Sequence, residues 1–232
     1  MRHHLSVFGL LGLLLSAPAE ADVTLRYVPD APGTLGILIE ADGQGRMRAE
    51  IAPGQLFIMR AGETFVVTPG AQGPNVSRLD DFLAVGTETA QAFEASHPVR
   101  NPPPQLHFRL VDRGPQTVGI WPGTRIAVEQ IGPHASAQDT EYVVSTDPAL
   151  AEAGRMANWF FETEGRILVT ILRFDRAEFT GVVRQLIARG TPLRVSGRFR
   201  LASIGADPVP ASRFDLPGPV LSREQLRARQ PH

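Results

Sequence analysis

The chain has 232 residues, a net charge of −1 at pH 7, 43% hydrophobic and 20% charged residues, and no cysteine. That balance excludes the electrostatic footprint of a nucleic-acid or anionic-membrane binder. The missing thiols exclude disulfides, cysteine-held metal and a lipid-modified cysteine anchor. Arginine takes the place of lysine throughout. With the many Ala, Gly and Pro residues this reads as coding bias rather than as a set of anion-binding guanidinium forks.

At the N-terminus Arg2 opens a short basic head, Leu5 to Leu15 is an apolar run, and Ala19-Glu20-Ala21 is a small-x-small cleavage site. The pattern predicts a secretory signal peptide over residues 1–21, cleaved after Ala21, and a periplasmic or secreted mature chain that begins at Asp22. The apolar run is too short to span a bilayer, and no later segment reaches the ~20 apolar residues that a span requires. The mature chain is therefore expected to be soluble, with no integral membrane segment. Its length suits a single domain, residues 22–232, with a core that needs no covalent staple.

Period-two alternation then predicts strands through Val23, Leu25 and Tyr27 and through Leu35, Ile37 and Ile39. From Arg46 to Val67 three strands form a meander, joined by Pro53-Gly54 and Ala61-Gly62. The middle strand, Leu56-Phe57-Ile58-Met59, is apolar on both faces. Tight two-residue turns would set Ile51 opposite Leu56, Ala49 opposite Ile58, Ile58 opposite Phe65 and Leu56 opposite Val67. Met47, Ala49, Ile51, Leu56, Ile58, Phe65 and Val67 would then share one face, leaving Phe57, Met59 and Val66 as a smaller strip on the other. Both turns have unfavourable chemistry, since two-residue hairpin loops want positive φ at their first position. A bulge would change the register.

Asp80 to Val85 predicts a short helix or turn capped by an Asp. A linking excursion follows from about Gly86 to Gln105 and ends in the rigid Pro102-Pro103-Pro104. Strands resume over Leu106–Val111, Thr117–Trp121, Thr124–Ile131 and Thr140–Ser145. Thr146-Asp147-Pro148 starts a helix carrying Ala149, Ala153, Met156, Ala157, Phe160 and Phe161 at helical spacing, with Gly165 as its end. A second helix begins near Asp175, with a stripe of Phe179, Val182, Val183, Leu186 and Ile187 and Gly190 as its stop. Between them Arg166–Arg173 fits a strand by its β-branched content or a helical hairpin by its position. Two closing strands over Leu193–Ile204, an extended tail over Ser212–Pro217 and a polar terminal helix over Ser222–Arg229 complete the chain.

Reactive chemistry is sparse. His97, His107, His134 and His232 form no close pair with metal-ligand spacing. The chain has no Gly-x-Ser-x-Gly elbow, and without lysine it has no Ser-x-x-Lys motif. An enzyme would need His107, Asp139 or Glu141 to meet in one cleft. No catalytic, cofactor-binding or metal-ligating residue is assigned, and no cofactor is expected. What remains is apolar: Phe57 and Met59 on the sheet with Met156, Trp159 and Phe160 on the first long helix form the candidate apolar site. Side chains of this kind are more often core than ligand cage.

The segments Arg46 to Glu50, Phe57 to Arg60, Glu141 to Pro148, Gly190 to Arg194 and Ser212 to Pro217, in this order, resemble an uncharacterised family of bacterial periplasmic proteins. That family is itself similar to the LolA/LolB-like half-barrels. The resemblance implies an α+β fold: a strongly curved antiparallel β-sheet with two to three helices packed on its concave face. In lipoprotein carriers of that shape the concavity accepts acyl chains. The expectation is a soluble, non-enzymatic periplasmic binding protein with an apolar concave site for a lipid-like or other hydrophobic ligand. The alternative is a structural or partner-binding envelope protein with a filled core and no ligand.

Overall fold

The alternating segments assemble into one antiparallel sheet, seen in a computed structural model that describes residues 22–97, 107–132, 140–172 and 176–229. The predicted signal segment, the Pro102–Pro104 connector, His134, Asp139 and Asp175 lie outside the described residues. The chain first lays down β1 (Val23–Pro29), β2 (Ile37–Ala41), β3 (Met47–Ala52), β4 (Gln55–Arg60), β5 (Glu63–Thr68) and β6 (Asn75–Arg78). After α1 (Leu79–Ser96) it returns with β7 (His107–Val118), β8 (Trp121–Ile131) and β9 (Thr140–Ser145). Then come α2 (Ala151–Leu172), α3 (Arg176–Ile187), β10 (Thr191–Val195), β11 (Phe199–Gly205) and α4 (Arg223–Ala228). The eleven strands follow the order β6-β5-β4-β3-β2-β1-β11-β10-β9-β8-β7. The class is therefore α+β, and among the described residues no helix is long and apolar enough to cross a membrane.

The two halves meet at β1 and β11, where Tyr27 pairs with Leu201 and Pro29 with Phe199. Polar contacts, one of them buried, lock this seam. The Tyr27 hydroxyl donates to the Pro192 carbonyl at 2.7 Å, and Arg194 holds Asp30 through two nitrogens at 2.8–3.0 Å. The Asp30 carboxylate also accepts from the Gly197 N–H at 3.0 Å. One face of the sheet carries the helices: α1 lies against β5 and β6, α2 against β2 and β10, and α3 against β7.

The meander departs from the expected register between β3 and β4. Ala49 pairs with Phe57 and Met47 with Met59, one residue away from the Ala49–Ile58 and Ile51–Leu56 pairs that a regular ladder would give. The reason is local. Proline fixes its own φ near −65° and Gly54 has φ 75°, the combination a type II turn uses. Its twist does not match that of the flanking strands, and a bulge at Ile51 absorbs the mismatch. The β4–β5 pairs Ile58–Phe65 and Leu56–Val67 are as expected. Consequently Met47, Ala49, Phe57 and Val66 share the helix-bearing face and belong to the main core. Leu56, Ile58, Phe65, Val67 and Val76 form a separate cluster on the reverse face. The smaller strip of the sequence reading is in fact part of the larger core face.

The C-terminal segment covers the reverse face. A 3-10 turn over Ala211–Phe214 buries Phe214 completely, under the guanidinium of Arg46, which sits 5.0 Å from the ring centroid. Leu216 and Val220 pack on the Ile58 cluster, and the Leu221 N–H donates to the Val76 carbonyl at 2.8 Å. Arg213 reaches Glu40 at 2.6 Å, and Glu40 is also paired with Arg48 at 3.1 Å. Glu40 and Arg48 are both buried, so their charges require these partners. A capping box at Ser222 starts α4, which ties back to α1 through Arg223–Asp81 at 3.0 Å and Arg227–Glu88 at 2.7 Å.

Further elements differ from the sequence reading: β7 runs unbroken across residues 112–116, which were expected to separate two strands, and Ala211–Phe214 is a 3-10 turn where an extended tail was expected. Residues 86–96 continue α1 rather than linking, and its N-cap is Arg78 with no side-chain cap; Asp80 and Asp81 instead sit in the first turn, where acidic groups favour the helix dipole. The open reading of 166–172 resolves as helix, because α2 runs through Gly165 to Leu172. Val169 is buried there and Ile167 packs on the main core. Packing outweighs the β-branched preference of the run.

Two expected outcomes test this account. Phe214→Ala should lower stability by about 3–5 kcal/mol in urea unfolding, as truncation of a buried Phe does; an unchanged midpoint would mean that the segment does not hold the reverse face. Ala61 has φ 51° beside Gly62 at φ 77°, an αL position that costs a non-glycine residue ~1–2 kcal/mol. Ala61→Gly should raise stability by about 0.5–1 kcal/mol after the added chain entropy is subtracted.

Candidate functional site

The five apolar residues singled out in the sequence come together, and they do so as packed interior. Phe57 on β4 and Phe160 on α2 have ring centroids 6.0 Å apart, and Phe57, Met156 and Phe160 are buried to within 2%. Met59 and Trp159 are half-buried at the margin of the same cluster, where the Trp159 indole N–H donates to the Thr64 hydroxyl at 3.2 Å. Aromatic contacts extend from this point: Phe160 to Phe161 at 5.3 Å, Phe161 to Phe199 at 5.4 Å and Phe199 to Tyr27 at 5.6 Å. Edge-on and tilted rings of this kind fill space densely.

Empty space lies one helix turn further along α2. A partly open cleft of about 50 Å³ lies between Phe161, Gly165 and Leu168 of α2, Val183, Leu186 and Ile187 of α3, and Tyr142, Val144, Pro192 and Val195 of the sheet. Its position follows from how closely the elements approach. A Cβ on Gly154 would stand 2.5 Å from the Thr191 hydroxyl, so glycine lets α2 press onto β10. Towards α3 the separation is larger: a Cβ on Gly165 would meet the Val183 methyls only at 3.7 Å. Val182 and Leu186 anchor α3 on Ile126 and Val144. The first strand residues of β7 hold its start, with Glu178 accepting from the Phe108 N–H at 3.1 Å and facing His107 Nδ1 at 3.0 Å.

One end of the cleft is polar. Glu164 of α2 is ion-paired with Arg198 of the β10–β11 turn, and both border the space beside the Tyr142 ring. Burial pushes the Tyr142 phenol above its ordinary pKa; Arg198 acts against this shift and Glu164 with it. Among the described residues the Tyr142 hydroxyl has no hydrogen-bond partner. The sequence reading missed this trio. Tyr142 falls within the Thr140–Ser145 strand pattern, Glu164 belongs to no motif, and Arg198 lies more than thirty positions beyond Glu164 in the chain. Of the lining residues, Gly165 is a helix end in the sequence reading, and Phe161, Val183, Leu186 and Ile187 are apolar helix positions.

The remaining candidates are dispersed. Glu141 lies 3.8 Å from Arg125, while His107 faces Glu178. Among the described residues no group of three His, Asp or Glu side chains is placed to hold a metal ion. An open groove of about 490 Å³ runs beside Tyr27–Pro29, Leu35–Leu38 and Glu50–Pro53. Leu35, expected to be buried in strand, precedes β2 and is 58% exposed at this groove.

Phe160→Ala is expected to lower stability by about 3–5 kcal/mol in urea unfolding, as for a core residue; a loss under ~1 kcal/mol would mean that the surrounding space is already loose. No family model, curated protein or solved structure matches this chain.

Proposed function

We propose that this chain is an exported, non-enzymatic binding protein of the periplasm that holds an apolar ligand between its helices and its sheet. The observation that carries the reading is the cleft beneath α2 and α3, walled by apolar side chains with a few polar groups converging at one end. Ligand sites commonly have that composition. At about 50 Å³ the space is well below the ~300–1,000 Å³ of sites for drug-sized ligands, so it takes the end of a chain or a short branched group. The Phe57, Met59, Met156, Trp159 and Phe160 cluster adjoins the cleft through the contact of Phe160 with Phe161.

Curvature of the sheet into a half-barrel belongs to the same reading. Eleven strands at ~4.8 Å spacing span about 48 Å when flat, whereas three helices packed at ~8–10 Å cover about 30 Å. Bending around α2 brings the outer strands over α1 and α3, in keeping with the contacts α1 makes with β6 and α3 with β7.

A second reading, an envelope protein that binds a partner around a filled core, is favoured by the tight Phe57–Phe160 packing and by the open groove at Leu35. Mass spectrometry of gently purified protein, with lipid extraction, separates the two. The first reading expects an alkyl- or aryl-bearing molecule to copurify and the melting temperature to fall when it is stripped. Protein that carries nothing, and whose melting temperature does not respond to added lipid, would leave the second.

A further inference from the structure

The charge at the cleft's polar end restricts what can bind. Among the described residues that border the cleft, the charged ones are Glu164 and Arg198, and they neutralise each other in an ion pair. The pair carries no net charge, with Arg198 46% exposed and Glu164 15%, so an incoming carboxylate or ammonium finds no net countercharge there. Either ion would give up its own hydration against the apolar wall with no net countercharge to offset the loss, which is costly. A neutral hydrogen-bonding group meets no such obstacle. It can accept from the Tyr142 hydroxyl, which among the described residues has no partner, and donate to a remaining lone pair of Glu164.

We infer that the cleft selects a short apolar group capped by an uncharged hydroxyl or amide, read by Tyr142 and the Glu164–Arg198 pair, and that it rejects the corresponding acid and amine. This rests on the proposed apolar binding site and adds the chemical class of its ligand. Burial of the Tyr142 phenol keeps the hydroxyl protonated, hence a donor, throughout the physiological range. The cleft's volume of about 50 Å³ sets the size of the apolar part.

Isobutanol, isobutyrate and isobutylamine share one carbon skeleton in three charge states and serve as probes. Amide chemical shifts of Leu168, Val183 and Leu186, followed by NMR titration of the full chain, report occupancy. Isobutanol should bind about tenfold more tightly than either ion, and Tyr142→Phe should weaken it about three- to tenfold, the worth of one hydrogen bond. Glu164→Gln leaves Arg198 unneutralised and should turn the preference to isobutyrate; Arg198→Gln should turn it to isobutylamine. These reversals are gains of binding that an unfolded variant cannot mimic. Equal binding of the three probes, or an ion preferred by the unaltered chain, overturns the inference and leaves the apolar site standing. If no probe binds but a lipid copurifies, the ligand class is likewise overturned. If no probe binds and nothing copurifies, the site itself falls with it.

Discussion

Strand β4 sets the constraint on which the rest of this structure depends. Phe57 and Ile58 are consecutive, both apolar and both buried, so the sheet cannot leave either face to water. Burying a Phe or Ile side chain is worth about 1.5–3 kcal/mol, and here that requirement is met twice, by different parts of the chain. Helix α2 covers the Phe57 face through Phe160. The segment after β11 covers the Ile58 face through Leu216 and Val220. An antiparallel sheet ordinarily has one solvated face, and this one departs from that arrangement around β4.

The same economy governs the sheet's ends. At β6 the returning tail donates from Leu221 to Val76. At β7 the Glu178 carboxylate accepts from Phe108, the Asp112 carboxylate accepts from Gly114 at 2.8 Å, and a bulge precedes Pro115. Side-chain acceptors, a bulge and a proline are the means by which edge strands avoid recruiting further strands. The cleft lies away from these edges, where α2 and α3 rest on β9 and β10. Closing the seam between β1 and β11 brings Tyr27 to Leu201, a long-range pairing of the sort that slows folding, so the helix face cannot be complete until the last strands arrive.

Much of the strand pattern was legible because alternation is a local signal. The β4–β5 register followed from Ile58 and Phe65, and the polar terminal helix from Ser222. The β3–β4 register was not legible, since it depends on how Pro53-Gly54 twists and on the bulge at Ile51 that corrects it. The passage of α2 through Gly165 is specified by packing of its later turn against neighbours, with Val169 buried there, whereas the last turns of α1 are exposed and rest on the helix propensity of the Ala-, Gln- and Glu-containing run 90–95. At the candidate site, the residues that stood out by size, Phe57, Met156 and Phe160, are those that packing consumes. Tyr142, Glu164 and Arg198, which border the remaining space, are ordinary in the sequence and distant from one another along it.

The sequence by itself determined the presence of both strand and helix patterns, the two-faced apolar strand and the absence of thiol chemistry, because composition and short-period patterning are properties of neighbouring residues. Tertiary structure alone decided which face of the sheet receives the helices, what covers the other, and where space is left between them. Those outcomes depend on one-residue register shifts and on approaches between residues far apart in the chain, such as Gly154 with Thr191 and Glu164 with Arg198. Close packing makes such distances a property of the whole molecule and of no segment within it.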